Sequence, residues 1–190
     1  MAQQQAAPRV YHLTSEAVLA YPYLTETETF RGKDTGNYSV TLIIQDQDDF
    51  DELNAKILEV GKTMHGTQPF TNPLRSTDDN RGGNSTPLIE RGAPEGWSIK
   101  ATSKFRVDLV DRDPKKPLQA SQFYPGLIVR AHLCLVPYEG MGRGVKPYLE
   151  GLQRVKDAPR LNLGGSGTPF QNLDDPRENG MVAASEGMEL

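Results

Sequence analysis

The run from Trp97 to Val110 largely alternates between apolar and polar residues. One set of alternate positions holds Trp97, Ile99, Ala101, Ser103, Phe105, Val107 and Leu109, of which five are large and apolar. The other set holds Ser98, Lys100, Thr102, Lys104, Arg106 and Asp108. Because successive side chains of a strand point to opposite faces, the run predicts one half-buried antiparallel strand with a mainly cationic outer face.

The cations of this predicted outer face have a regular spacing. Lys100 and Lys104 are four residues apart, which is about 13 Å at the rise of a β-strand, and Arg106 follows on the same face. This distance suits successive phosphates of an extended nucleic-acid strand. The alternative is that the cations only keep a solvated face soluble.

Charge is unevenly distributed along the chain. Residues 1–96 carry 8 basic and 14 acidic side chains, whereas residues 97–160 carry 12 basic and 6 acidic ones. Residues 161–190 carry one basic and five acidic side chains: Asp174, Asp175, Glu178, Glu186 and Glu189. A basic central block with an acidic appendage is a pattern typical of nucleic-acid-binding proteins.

Several classes of protein are disfavoured by composition. No apolar run approaches the roughly 20 residues needed to cross a bilayer. The first residues, M-A-Q-Q-Q-A-A-P, lack the charged and apolar regions of a secretion signal. The single cysteine, Cys134, excludes an intrachain disulfide framework and fits a reducing compartment. A cytoplasmic protein without a membrane partner is therefore expected.

The remaining patterns predict about five strands and one helix. Residues 46–66 carry apolar side chains at spacings of three and four, which predicts one amphipathic helix. The β-prone segments include residues 10–24, 38–44, 97–110 and 127–136. This mainly β chain with long loops favours a five-stranded antiparallel barrel of the OB-fold type.

The predicted domain occupies residues 10–160. A disordered N-terminus is expected over residues 1–9, and a flexible linker with an acidic tail over residues 161–190. Residues 66–96 are rich in Gly, Pro, Asn, Ser and Thr and are predicted as a long loop. Two interpretations remain open for this loop: a flap over bound nucleic acid, or an excursion without function.

Aromatic and basic residues recur together outside the central run. Unpaired bases are bound by stacking on aromatic rings combined with positive charge. Candidate stacking residues are Phe30, Tyr38, Tyr124 and Tyr148, although Tyr38 could equally be a core residue. Candidate phosphate ligands, besides the three cations of the central run, are Arg31, Lys33, Arg130, Arg143 and Lys146.

No catalytic, metal or cofactor site emerges clearly. Asp108, Asp111 and Asp113, followed by two lysines, weakly suggest a metal-dependent nuclease, but the same residues have the composition of a solvated turn. His132 and Cys134 supply two potential zinc ligands and no second pair. We therefore expect neither an enzyme nor a bound cofactor.

Several segments, in order, resemble a family of phage-encoded single-stranded DNA-binding proteins with an OB-fold, long known only as a domain of unknown function. They are A-Y-P-Y-L-T-E, N-Y-S-V-T-L-I-I with the acidic helix, N-P-L-R-S-T-D-D, W-S-I-K-A-T-S-K-F-R-V-D-L-V-D-R-D, F-Y-P-G-L-I-V-R-A and G-V-K-P-Y-L-E-G-L-Q-R-V-K-D.

The resemblance implies a protein that coats unpaired DNA without sequence preference during phage replication, recombination or repair. It also implies that the acidic tail contacts replication proteins and competes for the DNA groove, although this chain ends M-E-L without a terminal aromatic residue. A homo-oligomer on DNA is compatible with this function. The alternative function is a barrel-based module whose basic face binds an acidic protein partner.

Overall fold

The computed structural model describes residues 7–79 and 86–163. Within these ranges one α-helix, α1 (Gln47–His65), accompanies ten strands. The strands are β1 (Val10–Leu13), β2 (Ala17–Tyr23), β3 (Thr29–Phe30), β4 (Lys33–Asp34), β5 (Tyr38–Ile44), β6 (Arg75–Ser76), β7 (Trp97–Ser103), β8 (Asp108–Val110), β9 (Ile128–Glu139) and β10 (Arg143–Lys156).

Five of these strands close into a barrel. Neighbouring strands follow the order β2-β5-β7-β10-β9, and β9 pairs back onto β2. All of these pairings are antiparallel except β7 with β10, which run parallel. This closed five-stranded order is that of an OB-fold, so the expected fold class is confirmed.

The barrel interior is filled by alternate residues of the strands. Val40, Leu42 and Ile44 of β5 are fully buried, as are Leu133 and Leu135 of β9. The helix adds Leu53, Ile57 and Val60 to the same core. Burying such side chains provides most of the stabilisation, because each removes apolar surface from water.

The helix begins and ends as its sequence predicts. Asp46 is the N-cap, and its side chain accepts a hydrogen bond from the backbone N–H of Asp49. Gly66 follows the last helical residue with a φ of 60°, a left-handed value that favours glycine. In the described ranges, no helix combines the length and the apolar character required to span a bilayer.

The central strand is shorter than predicted. Pairing of β7 ends at Ser103, and the chain rejoins the sheet only at β8. Five residues lie between Thr102 and Asp108, whereas only two lie between Tyr148 and Gly151, their partners on β10. The extra residues must leave the sheet. The prediction of one continuous strand over residues 97–110 is therefore wrong.

Residues 66–96 are only partly irregular. Strand β6 pairs with β7, and Leu74 and Thr77 are buried. Residues 89–91 form one turn of 3-10 helix. The described parts of this predicted loop therefore pack on the barrel. Residues 80–85 lie outside the described ranges.

The folded region continues past residue 160. Leu163 is buried and Leu161 half-buried in a second apolar cluster on the outside of β2. The hydroxyl of Tyr21 donates to the carbonyl of Leu163 over 2.8 Å. Residues 158–163 therefore form a strap across the barrel. The predicted disordered N-terminus lies largely, and the acidic tail entirely, outside the described residues.

Gly126 makes the strap possible. Its φ is 101°, and a Cβ built there would lie 2.2 Å from the carbonyl oxygen of Pro159. We expect Gly126→Ala to destabilise the protein by about 1–3 kcal/mol through backbone strain and overpacking. Gly36→Ala is the matched control, because Gly36 also has a positive φ of 68° but open space around it. Urea unfolding of both variants measures the difference, and equal losses would contradict a role for the strap contact.

Candidate nucleic-acid interface

The outer face of the sheet carries a row of side chains that crosses four strands. Tyr148 of β10 is in register with Thr102 of β7 on one side and Cys134 of β9 on the other. Cys134 in turn is in register with Tyr11 of β1. Neighbouring strands lie about 4.8 Å apart, so the two tyrosines are about 10 Å from each other across the sheet.

A groove of about 540 Å³ has Tyr148 and Cys134 of this row in its lining, and we call it the outer groove. Its lining residues are Arg9, Ser103, Lys104, Phe105, Arg106, Val107, Asp108, Cys134, Val136, Tyr148, Leu149 and Glu150. Three of them are cationic and two are acidic. The combination of apolar walls, an aromatic ring and excess positive charge suits a polyanion that carries flat, apolar bases.

Besides the three cations that line the outer groove, a fourth, Lys146, lies beside the ring of Tyr148. Both residues lie on the outer face of β10, two positions apart, and both are half-buried. The Lys146 ammonium lies 5.1 Å from the centre of the Tyr148 ring. This cation–π contact holds a positive charge beside an aromatic surface.

Cys134 forms an uncharged part of the lining of the outer groove. Cys134 is buried there, and burial raises the pKa of its thiol above the usual range. A raised pKa keeps the side chain in the uncharged thiol form at neutral pH. Cys134 therefore adds no charge to the outer groove.

Two predicted cations of the central run line the outer groove, but the third does not. Lys104 and Arg106 are exposed on the segment that leaves the sheet after β7. Lys100 points outward from β7, where its ammonium donates to Glu28 in an ion pair. The expectation that all three cations form one continuous strand face is therefore wrong, because the strand ends at Ser103 and Lys100 is already paired.

The other predicted arginines lie elsewhere. Arg130, on the outer face of β9, donates from Nε to the carbonyl of Thr14 over 3.3 Å. It lines a smaller adjoining cavity together with His132 and Glu150. Arg143, at the tip of the β9–β10 hairpin, is ion-paired with Glu139 over 3.1 Å.

The hairpin β3–β4 presents a separate aromatic and basic cluster. Phe30 is 63% exposed at its tip, and the guanidinium of Arg31 lies 5.3 Å from the centre of the Phe30 ring. Lys33 is in register with Phe30. None of these three residues lines the outer groove.

Two of the predicted stacking residues, Tyr38 and Tyr124, contact other parts of the protein and do not line the outer groove. Tyr38 starts β5 in the same alternation as the core residues Val40 and Leu42, and is half-buried. The hydroxyl of Tyr124 donates to the carbonyl of Ala158 over 3.1 Å, and Arg160 lies over its ring. Tyr124 therefore fastens the strap, and neither tyrosine lines the outer groove.

Sequence reasoning missed residues that the fold brings to this face. Arg9 falls within the predicted disordered N-terminus, yet it lines the outer groove. Tyr11 is 50% exposed and stacks on His132 with ring centres 5.4 Å apart. The alternation of V-Y-H-L is a signal for these residues, but four positions are too few to assign a face.

Two of the three carboxylates of the suspected nuclease site hold a turn, and the third, Asp108, lies in β8. Asp111 is ion-paired with Arg154 over 3.0 Å, and Asp113 accepts from the backbone N–H of Lys115 over 3.0 Å. The Arg112 backbone N–H and then Arg154 lower the pKa of Asp111. Within residues 7–79 and 86–163, no three His, Cys, Asp or Glu side chains are grouped to hold a metal ion.

Known structures of phage proteins share this fold. The single-stranded DNA-binding protein from bacteriophage Enc34, in complex with single-stranded DNA, is 18% identical, with a TM-score of 0.62 over 79% of this chain and 88% of that one. Another structure of the Enc34 protein is 17% identical, with a TM-score of 0.61 over 88% and 89% of the two chains. The single-stranded DNA-binding protein gp2.5 of bacteriophage T7 is 18% identical, with a TM-score of 0.55 over 85% and 92%.

No curated protein sequence matches the chain. The family model described as the single-stranded DNA-binding protein of Enterobacter phage Enc34 matches residues 12–181. This match covers most of the 190 residues and confirms the family resemblance seen in the sequence. The chain therefore belongs to the family of the Enc34 phage single-stranded DNA-binding protein.

Proposed function

We propose that the protein binds single-stranded DNA without sequence preference along the outer groove. The observation that carries this proposal is the joint placement of Lys104, Arg106, Lys146 and Tyr148 on one outer face of an OB-fold barrel. Family membership supports the same ligand. The protein would coat unpaired DNA during phage replication, recombination or repair.

The cations supply affinity that does not depend on sequence. Lys104 and Arg106 are exposed and have room to meet phosphates, and Arg9 lies on the same groove. Each phosphate neutralised by a cation releases counterions, so binding weakens as salt rises, with a slope of about −0.7 per contact on a log–log plot. The outer groove therefore predicts salt-sensitive binding.

The aromatic rings supply the preference for unpaired DNA. A duplex keeps its bases stacked on each other, whereas a flexible single strand can place a base on the ring of Tyr148. Every base has a π-face, so this contact tolerates any sequence. Tyr11 and the His132 ring, on the same sheet face, extend the surface on which bases could stack.

We further propose that the protein acts by binding rather than by catalysis, without a cofactor, in the cytoplasm of the host cell.

Other predicted residues are proposed to contact a longer DNA strand. The β3–β4 hairpin would provide a secondary contact through Phe30, Arg31 and Lys33. Two further cations at the periphery would be Arg130 and Arg143. The acidic residues from Asp174 onward remain a proposed contact for replication proteins.

Competition between polyanions tests the function. We expect oligo-dT to bind more tightly than duplex DNA or heparin of equal charge, because only the single strand adds stacking to charge. Fluorescence anisotropy with labelled oligo-dT and unlabelled competitors measures the difference. If heparin and duplex compete as well as oligo-dT does, the groove recognises charge alone, which would favour the alternative of a module for acidic protein partners.

A further inference from the structure

The segment between β7 and β8 exposes a large aromatic side chain that the sequence pattern assigns to the core. Phe105 belongs to the same set of alternate positions as Ile99 and Ala101. Those two residues are buried, so Phe105 is also expected inside the barrel. In the structure its side chain is 79% exposed. The expectation that Phe105 is a core residue is wrong.

The core does not need Phe105, because the residues that follow resume the inward alternation. Val107 and Leu109 both pack against the barrel core. Of the large apolar residues in this alternation, Phe105 is the one left out of the core. It lies where the chain between β7 and β8 has more residues than β10 can pair. The chain bends at the start of this segment, where the backbone N–H of Phe105 donates to Oγ of Ser103 over 3.3 Å.

The surroundings of Phe105 match those of a ring that contacts a nucleic acid. Its neighbours Lys104 and Arg106 are both exposed, and all three residues line the outer groove. Tyr148 lines the same groove. Leaving a phenyl ring in water forgoes the stabilisation that burial in the core would give, and a base stacked on the ring would cover that apolar surface.

We propose that Phe105 stacks on a base of single-stranded DNA bound in the outer groove, with Lys104 and Arg106 holding the flanking phosphates. This inference rests on the proposed function and adds a specific residue to it. The extra residues between β7 and β8 then have a purpose: they lift an aromatic ring out of the core and place it at the edge of the groove.

An abasic oligonucleotide separates stacking from charge. A strand of the same length without bases keeps every phosphate, so it retains the contacts of Lys104 and Arg106. We expect Phe105→Leu to weaken oligo-dT binding at least about fivefold, the lower end of the range for a base–aromatic contact. The same variant is expected to leave abasic-strand binding and the salt slope unchanged, whereas Phe105→Trp retains oligo-dT affinity.

Fluorescence anisotropy on the full chain measures all of these affinities. Leu58→Ala, a truncation of a partly exposed apolar side chain on α1, is the control and should bind like the unaltered protein. Unchanged oligo-dT affinity in Phe105→Leu, or an equal loss with the abasic strand, would overturn the stacking role. A failure of the unaltered protein to prefer oligo-dT over heparin would instead overturn the proposed function.

Discussion

Replacing Lys104 and Arg106 together with glutamine is expected to weaken binding to oligo-dT by roughly 60-fold at 50 mM salt and roughly tenfold at 200 mM. Both side chains are exposed and line the outer groove. The figures follow if each cation neutralises one phosphate and contributes nothing at about 1 M salt, because each such contact contributes a slope of about −0.7 in log affinity against log salt. Removing two contacts should therefore make the slope shallower by about 1.4.

A matched control removes the same charge elsewhere. Lys115 and Lys116 are exposed on the turn after β8 and do not line the outer groove. We expect Lys115→Gln with Lys116→Gln to lower affinity only slightly, through the general field of the protein. A salt titration by fluorescence anisotropy gives slope and affinity for both pairs. Equal effects of the two pairs would mean that overall charge, and not the groove, determines binding.

Much of the fold follows from local patterns in the sequence. Strand β5 and helix α1 lie where their periods of two and 3.6 place them, and Asp46 and Gly66 bound the helix. A barrel also follows, because several short strands with one helix leave few other ways to bury their apolar faces. These features depend on neighbours in sequence, which the sequence displays directly.

The site was harder to predict, because it depends on register between distant strands. The alternation from Trp97 to Leu109 is nearly perfect, yet Phe105 leaves the core because β10 provides too few partners between Tyr148 and Gly151. Lys100 has the spacing expected of a phosphate ligand, but Glu28, directly before the β3–β4 hairpin, forms an ion pair with it. Neither the pairing across β10 nor this long-range contact is visible in a single sequence.

The attachment of β1 to the helix matters for the interface, because β1 carries Tyr11 on its outer face. On the inner face, Nε2 of His12 donates to Oδ1 of Asp49 over 3.0 Å, and the Ser15 backbone N–H donates to Oδ2 over 3.1 Å. The ammonium of Lys56 lies 3.3 Å from Nδ1 of His12. His12 and Asp49 are 1% and 6% exposed, so their polar groups depend on each other.

Asp49→Ala is expected to lower the free energy of unfolding by about 3–5 kcal/mol, because it leaves the buried His12 ring and the Ser15 N–H without their acceptor. Asp51→Ala is the control: Asp51 is exposed on the same helical turn, and its loss should cost under about 0.5 kcal/mol. Urea unfolding followed by circular dichroism and by Trp97 fluorescence measures both. Trp97 is a suitable probe since it stacks on Phe50, with ring centres 4.2 Å apart.

The same pair predicts how stability depends on pH. Burial raises the pKa of the Asp49 carboxyl. The hydrogen bonds from His12 and Ser15 together lower this pKa by more than burial raises it, so the pKa in the folded state lies below the usual range. The carboxylate therefore contributes stability above the unfolded pKa of about 3.9, and this contribution is lost as the pH falls through the folded value. The unaltered protein and Asp49→Ala should accordingly differ most near neutral pH and converge in acid. A difference that stays constant down to the acid transition would show that Asp49 acts through packing and not through its charge.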